Sequence, residues 1–518
     1  MRRYSSISIL ILSLLSGCAV LSQRSGNFDV RSYGAHGDGH HLDTNAINRA
    51  IKAASNAGGG TVTFPAGNYL SYSIHLRSNV TLYLDSGATI VAADPREGEG
   101  YDAPEANLAG VPDLNHEYQD FGHSHWHNSL LWGDNLQNVA IMGPGKIYGK
   151  GLARSQPHAQ HPSARNATDI PQNDSADAQI GNDGVGNKMI ALKNCRNVIL
   201  RDVTLQHGGW FAILATGVDN LTIDNLKIDT NRDGMDIDCC QNVRVSNCTV
   251  NSPHDDGICL KSSFGLGYVR STRNVTITNC QVSGYVEGSL LDGTYRHDPN
   301  PKFSPTGRIK FGTESNGGFQ NITISNCIFD YCRGFALESV DGALLEDVSI
   351  SNITMRDISS APIFIRLGTR LRGPASSALG TCQRINISNV VAYNVNPRES
   401  CIISGIPHYR INDLTLSHIQ IYFRGGGLHK LATSRPLENE AKYPEPSMFG
   451  EIPSYGFFIR HADNVKLDHI MIGALTHDER SPFVLTDVHH IDLDHIDAPH
   501  SKGIPFMRSK DVTGLRQQ

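Results

Sequence analysis

The chain has 518 residues, a net charge of −6, 50 glycines and an aromatic content of 7%. That acidic balance leaves no basic footprint for nucleic acid, so no nucleic-acid partner is expected. A length that ordinarily implies several domains is also reached by one repeat fold that grows by stacking, and the glycine-rich, aromatic-poor composition suits a turn-rich β protein.

At the N-terminus, Arg2 and Arg3 precede a mostly apolar run from Ile7 to Leu15, the pattern of an export signal. The run ends Leu15-Ser16-Gly17-Cys18, which resembles a bacterial lipobox. The resemblance implies that residues 1–18 are a signal segment. It also implies that Cys18 carries a lipid anchoring residues 19–518 to a membrane, as in a bacterial outer-membrane lipoprotein. No later run in the sequence is long and apolar enough to span a bilayer. An amphipathic helix is expected over Thr44 to Ala57, where Ala46, Ile47, Ala50, Ile51 and Ala54 form one stripe and Gly58 to Gly60 end it. Strands are expected within Val80 to Ile90 and Val139 to Ile147. Between them, DFGHSHWHN carries His123, His125, Trp126 and His127. Its alternation suits a sugar-facing wall with Trp126 stacked on a pyranose, or simply a strand face. A metal site is the third and less favoured reading. The polar stretch from Gly151 to Asn187 reads as a long loop.

A seven-residue pattern then recurs as NVILRDV at 197, NLTIDNL at 220, NVRVSNC at 242, NVTITNC at 274 and NITISNC at 321. It continues as DVSISNI at 347, RINISNV at 384, DLTLSHI at 413, NVKLDHI at 464 and HIDLDHI at 490. The closest copies are 22 and 23 residues apart; the widest gap, 51 residues, lies between the copies at 413 and 464 and implies a second turn or a loop. Columns two and four are apolar throughout, the alternation of a strand with one inner face. In the last column Cys248, Cys280 and Cys327 stand where other copies have Val, Leu or Ile, so they read as core thiols rather than disulfides or ligands. The sixth column holds Asp or Asn in seven copies and His418, His469 and His495 in the others. Asn and Asp tolerate left-handed backbone, so this column reads as a stacked corner. The architecture expected is a single all-β domain, a right-handed parallel β-helix capped by the N-terminal helix.

Two acidic motifs lie on neighbouring coils. Asn231-Arg232-Asp233 is followed 22 residues after Asp233 by Asp255-Asp256, the shortest coil spacing in the chain. Three carboxylates thus meet at one place, and like charges in contact force at least one pKa upward. A protonated acid beside an ionised carboxylate is what glycoside hydrolysis needs. A Ca²⁺ site and solvated turn aspartates are the alternatives. Coil stacking sets a backbone spacing of about 4.8 Å, shorter than the about 6.5–9.5 Å between the carboxyls of inverting glycosidases.

These motifs resemble glycoside hydrolase family 28, the polygalacturonase-like β-helices, over roughly Asn27 to the last repeat, in what looks like a divergent bacterial branch. FDVRSYGAHGDG and GPGKIYGKG resemble the opening and first turns of such proteins, and the Asn-x-Asp and Asp-Asp pairs match the family's. The resemblance implies an inverting hydrolase of pectic glycans, with Asp255 as general acid and Asp233 and Asp256 positioning water. It implies no cofactor and no metal. Where the family has Gly-His-Gly, this chain has Gly307-Arg308-Ile309-Lys310, and where the family's Arg-Ile-Lys belongs it has Ala336-Leu337-Glu338. The chain's own Arg-Ile-Lys therefore falls one coil early. Arg308 and Lys310 read equally as ligands for an acidic sugar or as the outer face of a strand. Further candidates for sugar contact are Asn231, His254, Lys261, Asp292 and Arg296, besides His125, Trp126 and His127. The substrate expected is a pectic poly- or oligosaccharide, cut as an exo-acting galacturonidase or a rhamnogalacturonan-active enzyme would cut it. A lyase on the same fold and a non-catalytic glycan-binding lipoprotein are the competing readings.

Overall fold

The computed structural model describes residues 26–105, 118, 121–154, 184–301, 304–374 and 378–518. The signal segment with Cys18, and most of the stretch read as a long loop, lie outside the described residues. Among the described residues, thirty-four strands form one hydrogen-bonded array. Its strands pair in parallel from coil to coil, as in Phe211–Thr216 against Asp233–Asp238 and Asp219–Asp224 against Gln241–Ser246. The result is the expected right-handed parallel β-helix. Early coils carry three short strands each, such as Asp233–Asp238, Gln241–Ser246 and Thr249–Asn251. From Phe319 onward the second and third strands merge into continuous ones of 12 to 21 residues, among them Phe319–Asp330, Thr381–Val395 and Ser454–Ala474.

The apolar columns fill one continuous core. Val198, Leu221, Val243, Val275, Ile322 and Val348 stack in it at 0–2% exposure, as do their partners two residues on. Cys248, Cys280 and Cys327 extend the neighbouring column, and all ten described cysteines are buried thiols. The helix spans Thr44–Asn56 and buries the five predicted residues against the first coils. It covers what would otherwise be an open edge.

The corner is left-handed as expected: Asn225, Asn247, Asn279, Asn326 and Asn352 have φ between 54° and 58°. A second such column was not expected. The first residue of the repeat, as in Asn197, Asn220, Asn242, Asn274 and Asn321, adopts the same φ range. A side chain that bonds locally offsets the cost of this conformation. Here each amide reaches the next coil: Asn220 Nδ2 donates to Asn197 Oδ1 at 3.0 Å, and Asn352 Nδ2 to Asn326 Oδ1 at 3.1 Å. Arg384 takes the first-column position too, held by Asp347 at 2.7 Å and Glu346 at 2.6 Å. Where Asn gives way to His, the imidazoles of His418, His469 and His495 stack at 4.9 and 4.4 Å between ring centres.

Candidate active site

Four successive strands build the site: Asp233–Asp238, Ile258–Ser262, Ile309–Ser315 and Phe335–Ser339. Met235, Ile237, Ile258, Leu260, Ile309, Phe311 and Leu337 point into the solenoid core. Alternation therefore sends Asp236, Asp238, Lys261, Arg308, Lys310 and Glu338 to the outer face. That face is covered: all six are nearly inaccessible. Acidic residues there face basic ones on neighbouring coils, as Lys261 faces Asp236 and Glu314 and Lys310 faces Asp256 and Glu338, while Asp238 is held by Ser263.

The three aspartates do meet. Asp233, Asp255 and Asp256 each offer a carboxylate oxygen within 4.8 Å of the others. The register differs from the expected one. Met235 pairs with Ile258, an offset of 23 residues, and the Gly234 N–H donates to the Asp256 carbonyl at 3.0 Å. Asp233 therefore lies level with Asp256, not Asp255. Asp255 stands one step earlier, on the turn that enters the strand. Its side chain is 27% exposed, against 3% for Asp256, so it is the member that faces outward.

Their environments separate them. Burial, then the like charges of Asp255 and Asp236, push the Asp233 carboxyl well above its ordinary range. Burial works against ionisation of Asp256 as well, but Lys310, Arg308 and Lys261 outweigh it and hold this carboxyl well below the usual values. Arg308 Nε donates to Asp256 Oδ1 at 2.8 Å, and Lys310 Nζ lies 3.3 Å from Oδ2. Asp255 pairs with Arg232 at 2.7 Å, whose guanidinium lies on the Trp210 ring, 4.2 Å from its centre. Three clustered carboxylates also suit a cation. Here Arg308, Lys310 and Arg232 already supply the positive charge.

The remaining candidates divide. Arg308 and Lys310 lie beside the aspartates, as one of their two readings required, but they face protein carboxylates. Arg308 holds Glu445 through both nitrogens, at 2.6 and 3.2 Å, and Lys310 lies 3.7 Å from Glu338. Lys261 is likewise an internal cation, 3.0 Å from Glu314 and 3.8 Å from Asp236. Asn231 adjoins the cluster, its carbonyl accepting from the His254 N–H at 3.1 Å. His254 is exposed, and desolvation by the surrounding protein together with the nearby Arg232 charge lowers its pKa. Arg296 and Asp292 are exposed on the loop beyond Ser283, where Asp292 is taken up by the backbone of Thr294 at 2.8 Å.

The sugar-wall reading of Trp126 is overturned. Trp126 is 1% exposed, donates to Thr216 Oγ1 at 3.2 Å and lies under the Lys193 ammonium. No sugar face can reach that ring. His125 is also buried, with Nδ1 against Ser124 Oγ at 3.0 Å. His127 lies 3.6 Å from Glu105 and its ring lies over Trp132. His123 Nε2 meets Asp236 at 3.0 Å. Among the described residues, the histidines of this segment serve separate partners.

Sequence reasoning missed Glu445, Tyr443 and the role of Arg333. Arg333 Nη1 donates to Glu445 Oε2 at 2.9 Å, and Lys310 Nζ to the Tyr443 hydroxyl at 3.1 Å. Glu445 ionises readily despite burial, its pKa lowered to about 2 as Arg308, Arg333 and Lys310 overcome the desolvation. Both residues lie in the 51-residue gap between the copies at 413 and 464, which was the available signal.

Fold and site together define a right-handed parallel β-helix protein with a buried, charge-alternating acidic centre on one sheet. Comparison with known proteins agrees. A family model described as rhamnogalacturonase A/epimerase, pectate lyase-like, matches residues 27–210, and one for the right-handed β-helix region matches residues 173–297. A probable polygalacturonase of Vitis vinifera is 24% identical over 85% of this chain and 83% of its own length. An exo-poly-α-D-galacturonosidase of Dickeya chrysanthemi is 27% identical over 46% of this chain and 42% of its own. Among solved structures, the Yersinia enterocolitica family 28 exopolygalacturonase has a TM-score of 0.60 at 16% identity, covering 94% of this chain and 78% of that one. The Thermotoga maritima exopolygalacturonase has a TM-score of 0.59 at 16% identity, over 86% and 92%. The resemblance carried by the acidic motifs is thus matched by the comparisons: the chain is similar in sequence to polygalacturonases and in fold to the exopolygalacturonases.

Proposed function

We propose that the chain is a glycoside hydrolase acting on pectic poly- or oligosaccharides. One observation carries this reading: Asp233, Asp255 and Asp256 bring carboxylate oxygens within 4.8 Å of one another, with Asp255 at the outward edge, in surroundings that push the Asp233 pKa up and the Asp256 pKa down. Glycosidic cleavage needs both protonation states at one bond. Asp255, the outward member, delivers the proton to the leaving oxygen. Asp233 holds that proton in the free chain and lies within 4.8 Å to pass it on. Asp256, kept anionic by Arg308 and Lys310, draws the proton from the attacking water. Arg232 orients Asp255 until a substrate displaces it.

Inversion is part of the proposal. The spacing is tighter than the about 6.5–9.5 Å usual for inverting pairs, so the water sits beside the cluster rather than between its members. Support comes from Asp256, which two cations and burial make a poor nucleophile. Removal of a terminal sugar is proposed from two walls over the site face. One is the segment carrying His123 and Trp126; the other carries Tyr443, Glu445 and Phe449, the last packed on Phe364 and Phe458. Export and lipid anchoring at Cys18 are proposed on the N-terminal sequence alone.

The test is incubation of the chain with a panel of pectic oligosaccharides, products followed by NMR. A single terminal sugar, released first with inverted configuration, supports the reading. Retained configuration refutes the water-beside-cluster geometry, and unsaturated ends mean a lyase. Asp255→Asn is expected to lower kcat by about 10²–10⁴-fold with the fold unchanged; full activity in that variant removes Asp255 from the proton-delivering role.

A further inference from the structure

We propose that the sugar ring seated against Arg308, Lys310 and Arg333 is uncharged, so that the chain cleaves pectic glycosides with a neutral ring at the scissile bond in preference to runs of galacturonate. The inference rests on the hydrolase reading above and names its substrate class. Three cations facing one acidic centre would ordinarily mark a carboxylate-binding wall. In this chain the wall is already filled by protein carboxylates. Arg308 spends Nε on Asp256 and both terminal nitrogens on Glu445. Arg333 spends Nη1 on the same Glu445, and Lys310 lies between Asp256 at 3.3 Å and Glu338 at 3.7 Å. Among the described residues, each cation of this wall has a carboxylate partner.

Accessibility points the same way. The side chains of Arg308 and Lys310 are 2% exposed, so they offer little donor surface to an incoming ring. A uronate arriving here has to expel Glu445 from two guanidiniums, exchanging one carboxylate for another with no net gain. Otherwise it enters as an additional anion beside Asp256 and Glu445. Glu338 sharpens the penalty: neither of its buried oxygens has a hydrogen-bond partner. The two cations nearest to it, Lys310 and Arg308, are already shared with Asp256 and Glu445, which leaves Arg333 as the one guanidinium of the wall with an unpaired nitrogen. A ring bearing a hydroxymethyl or methyl group in place of the carboxylate avoids all of this.

The full chain is tested on three substrates of matched length: galacturonan oligosaccharides, the same oligosaccharides with their carboxyls chemically reduced to alcohols, and rhamnogalacturonan oligosaccharides. The expected result is a kcat/KM at least tenfold higher on one of the two substrates with a neutral ring at the cut bond than on galacturonan. Equal or better turnover of galacturonan overturns the inference while leaving the hydrolase reading intact. No turnover of any of the three overturns the hydrolase reading, and the inference falls with it. Glu445→Gln, which frees positive charge on Arg308 and Arg333, is expected to raise kcat/KM on galacturonan at least tenfold. If that variant does not fold, the substrate preference of the unaltered chain decides.

Discussion

Replacing Glu338 by Gln should make the chain more stable above neutral pH while leaving it unchanged in mild acid. Glu338 is fully buried, and burial raises its pKa from 4.5 to about 7 although Lys310 lies 3.7 Å away. Lys310 does not rescue it because that ammonium is closer to Asp256, at 3.3 Å. A carboxyl whose pKa is raised by folding binds its proton more tightly in the native state, so stability falls as pH rises through the interval between the unfolded and folded values. At about 1.4 kcal/mol for each tenfold change in proton affinity, the rise from 4.5 to about 7 costs about 3 kcal/mol once both states are ionised. Glutamine matches the protonated acid in size and charge and does not titrate. The difference in unfolding free energy between variant and unaltered chain, measured by urea denaturation from pH 4 to pH 8.5, should start near zero. It should climb by about 3 kcal/mol and level off above pH 7.5. Taking the difference removes Asp233 and every other titrating group common to both proteins. A flat difference would refute the reasoning, because it would mean that Lys310 stabilises the Glu338 carboxylate as well as it does Asp256.

Two other perturbations follow from the same geometry. Arg308→Met leaves Asp256 and Glu445 without their shared guanidinium, and breaking a buried pair from one side costs about 3–5 kcal/mol. Thermal unfolding should show that loss, and the acid limb of any pH–rate profile should move up as Asp256 loses a stabilising cation. Asn279 sits at φ 56° and passes its amide to Asn247 at 3.3 Å. Asn279→Ala should lose about 1–2 kcal/mol through left-handed strain, whereas Asn279→Gly should lose clearly less in the same denaturation assay.

The solenoid was legible because its signal repeats. Ten copies of one pattern align Val198, Leu221, Val243 and their successors, and a column of ten similar residues leaves little room for misassignment. The first-column corner escaped notice although Asn197, Asn220 and Asn242 were in plain view. A polar residue opening a strand reads as surface unless its backbone sign is known. The aspartates were found by coil spacing, but one residue out of register, because the turn through His254 and Asp255 makes that coil 23 residues rather than 22. Trp126 was misplaced for a different reason. Period-two alternation says that two faces differ, not which one is covered, and the Thr216 and Lys193 that bury this ring are 90 and 67 residues away in sequence. Glu445 was out of reach by any periodic argument, since its segment belongs to no repeat.

Stacking explains why this centre needs so many charges. On a parallel β-helix, equivalent positions recur about every 4.8 Å. Two like charges at that distance repel by about 3.5 kcal/mol at an effective dielectric of 20. An aspartate placed on the outer face therefore dictates the sign of its neighbours above and below. Asp256 meets Arg308 and Lys310 from the next coil, and Lys310 lies 3.7 Å from Glu338 on the coil after. Asp236 is followed by Lys261, and Lys261 by Glu314. The exception is Asp233, level with Asp256 on the adjacent coil and within 4.8 Å of it. Burial and the charges of Asp255 and Asp236 raise the pKa of Asp233, while Lys310 and Arg308 hold that of Asp256 low. The proton is left to Asp233, next to the outward-facing Asp255. Moving a single cation of the series, as in Arg308→Met, should therefore shift the proton toward Asp256 and change the chemistry of the cluster without altering any of the three aspartates.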